Sequence, residues 1–172
     1  RVFAQEDETA RRIAMRVVEP PAPEKIEQIL EQVKREIGLA LSSKQEAAVY
    51  ATYRHNLSII TGSPGTGKTT VLKTILEVYR RLHPQGEIAL MAPTGRASRR
   101  MAESTGVDKA KTLHSILGLA SEEDEIKRNN TQEPLSADLI IVDEFSMVDM
   151  WLANKFFSRI KGGARVILVL SL

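Results

Sequence analysis

The sequence predicts an α/β fold built on a parallel sheet, because short apolar runs alternate with helical segments after residue 42. Each run is rich in Ile, Leu or Val, as expected of strands that are covered on both faces. The predicted strands are residues 57–61, 87–91, 139–142 and 165–170. Between the first two, apolar residues repeat at helical spacing over residues 68–82. A strand, a helix and another strand in this order indicate a right-handed crossover and parallel pairing.

Two further helices are predicted before this domain. One covers residues 6–18, and the proline-rich residues 19–23 then stop it and form a stiff connector. The other carries an apolar face from Ile26 to Ile37, and Gly38 is placed to end it. We interpret both as packing elements rather than sites. The predicted divisions are an N-terminal helix and connector over residues 1–23, a linker helix over 24–40 and one α/β domain over 41–172.

The composition is that of a folded protein with a charged surface. Of the 172 residues, 42% are hydrophobic and 27% are charged, which excludes disordered and fibrous classes. The sequence has no cysteine, which excludes disulfides, thiolate zinc sites and cysteine nucleophiles and is compatible with the cytoplasmic location that we expect. The longest apolar run, residues 166–170, is too short to span a bilayer, so no membrane partner is expected. The chain begins at Arg1 and stops inside an apolar run at Leu172, so we expect a piece of a longer protein.

Basic residues are concentrated in the middle of the chain. Between residues 41 and 120, Lys and Arg outnumber Asp and Glu by 11 to 5, whereas the flanking segments are acidic overall. Such a segment attracts polyanions such as nucleotides or nucleic acid. From charge alone, a solvated basic surface is an equally good explanation. Residues 121–134, which include an acidic run, are predicted to form an exposed loop.

One segment has the pattern of a phosphate-binding loop. It runs Gly62-Ser63-Pro64-Gly65-Thr66-Gly67-Lys68-Thr69, followed by Thr70. It lies between a predicted strand and a predicted helix, which is the context that this chemistry needs. The glycines let successive N–H groups face inward, and the helix N-terminus adds positive potential for phosphates. We therefore predict that Lys68 reaches the β- and γ-phosphates of a nucleotide and that Thr69 coordinates Mg²⁺.

Two carboxylates follow the third predicted strand. Asp143 and Glu144 come directly after residues 139–142, and ligands of parallel α/β sheets bind at the carboxyl ends of strands. Asp143 fits the Mg²⁺ partner of Thr69, and Glu144 fits the base that polarises the attacking water. An acidic pair after a strand is a weak signal by itself. Here a phosphate-binding loop is also present, with Lys68 75 positions before Asp143. The two segments together therefore predict one ATP site.

Neighbouring segments decide among the P-loop classes, which include small-molecule kinases, GTPases, clamp loaders and helicases. No Asn-Lys-x-Asp guanine motif is present, which disfavours a GTPase. Four segments stand in order, namely LSSKQEAA (41–48), APTGRA (92–97), KTLH (111–114) and DEFSMVD (143–149). Together they resemble the motor core of RecD-type superfamily 1 DNA helicases over residues 38–169. The resemblance implies the first RecA-like motor domain of a 5′-to-3′ DNA helicase that uses ATP, Mg²⁺ and single-stranded DNA, with a second motor domain as partner.

The resemblance also implies roles outside the phosphate-binding loop. Gln45 would read the adenine edge, since its amide offers a donor and an acceptor. Six residues in two motifs would contact DNA: Pro93, Thr94, Gly95, Arg96, Thr112 and His114. Thr94 and the N–H groups of its helix are suited to hold one phosphate. For two of these residues an alternative to the DNA contact stays open. Arg96 is equally explained as a charged residue on the solvated face of its helix, and His114 as a structural histidine.

The sequence departs from the family at the end of its last predicted strand, after residue 169. The family has Gly-Asp there and a Gln that senses the γ-phosphate, whereas this chain has Leu170-Ser171-Leu172. The second motor domain and its arginines are not in the sequence, and such an arginine is worth about 10³–10⁵ in hydrolysis rate. We therefore expect the chain to bind nucleotide, to hydrolyse it poorly and not to unwind DNA alone. Two rival interpretations remain: a P-loop ATPase acting as a switch or loader, and a nucleotide-binding module whose helices dock a partner.

Overall fold

The computed structural model describes residues 21–62, 67–107, 109–118 and 133–171. The helix predicted over residues 6–18 lies outside these ranges, as do most of the predicted loop and the middle of the phosphate-binding motif. Within the ranges described, no helix is both long and apolar enough to cross a membrane.

A five-stranded sheet, parallel at every pairing, forms the centre of the fold. The strands are β1 (Leu57–Gly62), β2 (Ile88–Ala92), β3 (Ala110–Thr112), β4 (Leu139–Val142) and β5 (Arg165–Ser171). They lie side by side in the order β1-β5-β4-β2-β3. The predicted α/β class is confirmed, and the four predicted strands differ from the observed ones by at most one residue at either end. The sequence did not predict β3, because Ala-Lys-Thr contains no apolar run.

Helices connect the strands and cover the sheet. In the described part of the chain they are α1 (Pro23–Ile37), α2 (Ser43–Arg54), α3 (Lys68–Leu82), α4 (Gly95–Thr105), α5 (Leu113–Leu117) and α6 (Met150–Ser158), with a 3₁₀ turn at Phe145–Met147. Helix α3 has the predicted bounds. Helix α1 begins at Pro23, where the connector was expected to end, because proline suits the first turn, in which its missing N–H is not needed.

The alternation of side chains along β4 shows how both faces of the sheet are buried. All four residues of this strand are 0% exposed. Leu139 and Ile141 pack in one cluster with side chains of α1, α2, α3 and α4. Ile140 and Val142 pack on the other face with side chains of α5 and α6. Because helices cover both faces, the strand ends are the part of the sheet left for a ligand.

Helix α1 belongs to the same core as the sheet. Its side chains Ile26, Leu30 and Val33 are buried in one cluster with residues of α2, α3 and β5. Two ion pairs also join α1 to its neighbours: Lys34 with Glu46 on α2, and Glu36 with Arg81 on α3. The apolar face predicted for the linker helix is therefore packed against the α/β domain.

Arg165 is the first residue of β5, and its charged side chain is buried. The apolar pattern of that strand did not indicate a buried cation. Arg165 Nη1 donates to the carbonyl oxygens of Thr52 and His55 at 2.8 Å each. These carbonyls lie at the end of α2, where a helix terminus favours a cation. The guanidinium also lies 5.3 Å from the ring centroid of Tyr53. Burial lowers the pKa of Arg165, and the two charge-assisted hydrogen bonds offset part of the cost of burying it.

Candidate nucleotide-binding site

The carboxyl ends of the strands meet along one edge of the sheet. Gly62 at the end of β1 pairs with Ser171 at the end of β5. Ala92 at the end of β2 pairs with Thr112 at the end of β3. Strand β4, which precedes the two carboxylates, lies between β5 and β2. The phosphate-binding motif, the acidic pair and both predicted DNA motifs therefore start from this single edge.

The structure describes the two ends of the phosphate-binding motif. Gly62 closes β1 and Gly67 precedes α3, whereas Pro64, Gly65 and Thr66 lie outside the described residues. Gly67 has φ +85°, a backbone conformation that glycine adopts readily and that residues with a Cβ disfavour. A Cβ at this position would also collide with the side-chain nitrogen of Gln45. The backbone conformation at position 67 therefore favours glycine, and a larger residue would also displace the end of the Gln45 side chain.

The first turn of α3 carries the side chains predicted to meet the nucleotide. Lys68 is the first residue of the helix, and its Nζ donates to Ser171 Oγ at 2.8 Å. Thr69 is exposed and Thr70 is half-buried in the same turn. No acidic residue stands in this turn, so the positive end of the helix is not neutralised by its own side chains. A phosphate is the ligand that such a terminus suits best.

The acidic pair is held in an unusual backbone conformation. Asp143 Oδ1 accepts a hydrogen bond from the Glu144 N–H at 2.8 Å. Glu144 has φ +52° and ψ +38°, and among the described residues no other non-glycine residue has positive φ. Such strain is typical of functional sites, where surrounding structure holds it in place. Both carboxylates line a cleft of about 490 Å³ that Thr69 also lines, so the predicted metal-binding residues Thr69 and Asp143 lie in one cleft with Glu144, whereas Lys68 does not line it.

Gln45 lies beside the phosphate-binding motif but is engaged within the chain. Its side-chain Oε1 accepts from the Ser42 N–H at 2.8 Å, and its own N–H donates to Ser42 Oγ at 3.2 Å. This is a capping box, which starts α2. Its Nε2 donates to the Gly67 carbonyl oxygen at 3.4 Å. The Ser-x-x-Gln spacing could have predicted this cap from the sequence. These bonds use one of the two N–H donors and one of the two oxygen lone pairs of the Gln45 amide, so one donor and one acceptor remain for an adenine edge.

Two threonines at neighbouring strand ends act as helix caps. Thr94 Oγ1 accepts from the Ala97 N–H, and Thr112 Oγ1 accepts from the Ser115 N–H, at 3.1 Å each. The other predicted DNA contacts lie beside these caps: Pro93 before α4, Gly95 and Arg96 in its first turn, and His114 in α5. Arg96 and His114 are exposed. The structure thus brings the two predicted DNA motifs together beside the strand that carries the acidic pair, with both hydroxyl oxygens already accepting a backbone bond.

Two other features bear on the location of the site. A larger hollow of about 570 Å³ lies at the opposite edge of the sheet, where Asp138 precedes β4 and Arg165 opens β5. It contains none of the predicted site residues. In the described parts of the chain, no cluster of three or more His, Asp or Glu side chains could hold a metal by itself. Thr69 and Asp143 still fit Mg²⁺, because that ion usually binds one or two protein oxygens together with phosphates and water.

The parallel fold and the cleft between Thr69 and the acidic pair define a P-loop nucleotide-binding domain. The profile of the AAA domain family matches residues 45–169, and the chain belongs to this family. The matched residues run from α2 to β5 and include most of the described sheet.

Individual relatives are RecD-type and related helicases. The chain is 40% identical over 129 residues to the ATP-dependent RecD2 DNA helicase of Deinococcus radiodurans, covering 75% of this chain and 17% of that protein. It is 36% identical over 146 residues to the RecBCD enzyme subunit RecD of Haemophilus influenzae, covering 73% of this chain and 23% of that protein. The crystal structure of the Pif1 helicase from Candida albicans is similar with a TM-score of 0.53 and 31% identity, over 77% of this chain and 32% of that one. The resemblance to RecD-type helicases is confirmed, and the chain spans about a fifth of the length of these two curated relatives.

Proposed function

We propose that the chain is the ATP-binding first motor domain of a superfamily 1 DNA helicase that moves 5′ to 3′ on single-stranded DNA. The observation that carries the proposal is the single sheet edge that holds Lys68, the acidic pair Asp143 and Glu144, and the Thr94 and Thr112 caps. The similarity to the RecD2 DNA helicase supports the activity, and its name supports ATP as the fuel. The polarity follows from the resemblance alone. We also propose a cytoplasmic location, with which the cysteine-free sequence is compatible.

ATP binding would rest on the first turn of α3. Lys68 and the unneutralised helix N-terminus would bind the phosphates, and Gln45 would bind the adenine edge. The Thr69 hydroxyl and the Asp143 carboxylate would hold Mg²⁺, which neutralises charge that develops on the phosphates. Glu144 would orient the attacking water and accept its proton. The left-handed backbone at Glu144 supports this role because it turns the residue out of the line of β4 at the open edge.

DNA binding would use the ends of β2 and β3. Thr94, together with the N–H groups of the 11-residue helix α4, would hold a backbone phosphate, and Arg96 would add charge beside it. Thr112 and His114 would extend the contact onto the neighbouring strand end. The excess of basic residues between positions 41 and 120 supports a polyanion at this edge. Because ATP and DNA would bind adjacent strand ends, a change at one site could be passed to the other through β4 and β2.

A second motor domain would supply the remaining groups for rapid hydrolysis. Arginines that act in this way are worth about 10³–10⁵ in rate. The chain alone is therefore proposed to bind Mg·ATP but to turn it over near the background rate, with no unwinding.

The DNA assignment can be tested by fluorescence anisotropy with a labelled single strand at low salt. We expect Thr94→Ala with Arg96→Ala to weaken DNA binding and to leave Mg·ATP affinity unchanged. Each lost phosphate contact makes the negative slope of log K against log salt less steep by about 1. Arg96→Ala alone should therefore reduce the steepness of this slope by about 1. Thr94→Ser keeps the cap of α4, and Arg54→Ala removes an exposed cation at the end of α2, so both are controls. Unchanged DNA affinity in the double variant would favour a switch or loader ATPase.

A further inference from the structure

We propose that Ser171 is a positioning residue of the ATP site, which fixes the ammonium group of Lys68 for the phosphates. The inference deepens the proposed function and depends on it. Sequence comparison with RecD-type helicases had marked this position only as a departure from the expected Gly-Asp. The structure instead gives the serine a direct contact with the central lysine of the phosphate-binding motif.

The contact joins two distant parts of the chain. Lys68 Nζ donates to Ser171 Oγ at 2.8 Å, across 103 positions of sequence. Strand β5 makes it possible, because it lies directly beside β1 and pairs Ser171 with Gly62. The hydroxyl therefore stands level with the point where β1 enters the phosphate-binding motif. Both side chains are half-buried, so the hydrogen bond is partly shielded from water.

The chemistry of the pair suits positioning rather than blocking. An ammonium group has three N–H donors, and the serine oxygen takes one of them. The other two remain for phosphate oxygens. A hydroxyl carries no charge, so it does not neutralise the lysine as a carboxylate would. A flexible lysine side chain loses rotamer freedom when it binds, and a partner that already restricts it reduces this loss.

Ser171→Ala is expected to weaken Mg·ATP binding about three- to tenfold, because the ammonium group must then be ordered by the nucleotide alone. Ser171→Thr keeps a hydroxyl and should restore most of the affinity. Ser58→Ala is the matched control, because Ser58 lies on the adjacent strand β1 and its buried hydroxyl makes no hydrogen bond within the described residues. Calorimetric titration of the whole chain with Mg·ATP measures each dissociation constant. Thermal unfolding without nucleotide should give a midpoint for Ser171→Ala no more than about 4 °C below that of the wild type, because only one partly shielded hydrogen bond is lost.

The possible outcomes separate this inference from the proposed function. If the wild type gives no binding, the proposed ATP site itself is wrong. If the wild type binds and Ser171→Ala binds equally well, the positioning role is overturned while the ATP site stands. A loss of affinity that Ser171→Thr does not restore would also overturn it. An unfolding midpoint of Ser171→Ala that falls by much more than about 4 °C would overturn it in favour of a structural role for the serine. Weakened binding by Ser171→Ala alone, with rescue by threonine, supports the inference.

Discussion

Leu30→Ala is expected to destabilise the whole domain and not only helix α1. Leu30 is 0% exposed and packs in one cluster with Ile75 on α3 and Ile167 on β5. Replacing a buried leucine by alanine removes apolar contacts and leaves a cavity, at a cost of about 2–5 kcal/mol. For a domain of this size, a loss of about 3 kcal/mol lowers the melting temperature by roughly 6–12 °C. Such an effect is possible only if α1 and the sheet unfold as one unit.

Trp151 makes the assay sensitive to that distinction. It is the chain's only tryptophan, and it lies on α6, whose buried side chains pack on the opposite face of the sheet from Leu30. Urea unfolding followed by its fluorescence therefore reports on a distant part of the core. Ile37→Ala is the matched control, because Ile37 is 48% exposed on the same helix and its loss should change stability by no more than about 0.5 kcal/mol. If Leu30→Ala leaves the Trp151 transition unchanged, α1 is an independent unit and the packing argument is refuted.

Two further predictions concern the acidic pair and the pH dependence of stability. Glu144→Gly should be more stable than Glu144→Ala by about 1–2 kcal/mol, because φ at this position is +52° and a left-handed backbone disfavours a Cβ. Equal urea midpoints for the two variants would contradict the left-handed conformation at this residue. A hydrogen bond from the Glu87 N–H and then one from Lys161 lower the pKa of Asp138. Its contribution to stability is therefore complete above the ordinary pKa of 3.8 and is lost as the pH falls through the lower folded value. Asp138→Asn should reduce the acid-induced loss of stability measured in urea between neutral pH and pH 3, and an unchanged loss would exclude this role.

The predictable part of the fold is the part that local pattern determines. Runs of Ile, Leu and Val mark the central strands, because those strands are buried on both faces and can contain little else. Helix α3 has both a glycine before it and a long apolar face, so its bounds agree with the prediction. Helix α2 was not predicted, although its Ser42 cap and Gln45 carried the signal. The short strand β3 is defined by its pairing with β2 rather than by its own composition.

The candidate site was predictable in its motifs and not in its contacts. The phosphate-binding loop and the acidic pair each have a local spacing that reflects their chemistry. The bond from Lys68 to Ser171 depends on the strand order, which places β5 beside β1, and no local pattern encodes that order. The burial of Arg165 likewise depends on the carbonyl groups of Thr52 and His55, which lie 113 and 110 positions earlier in the sequence.

Calorimetric titration with Mg·ATP tests the central claim, that the sheet edge at Lys68 is an ATP site. We predict saturable binding by the wild-type chain and no detectable binding by Lys68→Ala, because the ammonium group is assigned to the β- and γ-phosphates. Lys73→Ala is the matched control, since Lys73 is exposed further along the same helix, and it should bind as the wild type does. Absence of binding by the wild type, or equal binding by Lys68→Ala and Lys73→Ala, would contradict the account.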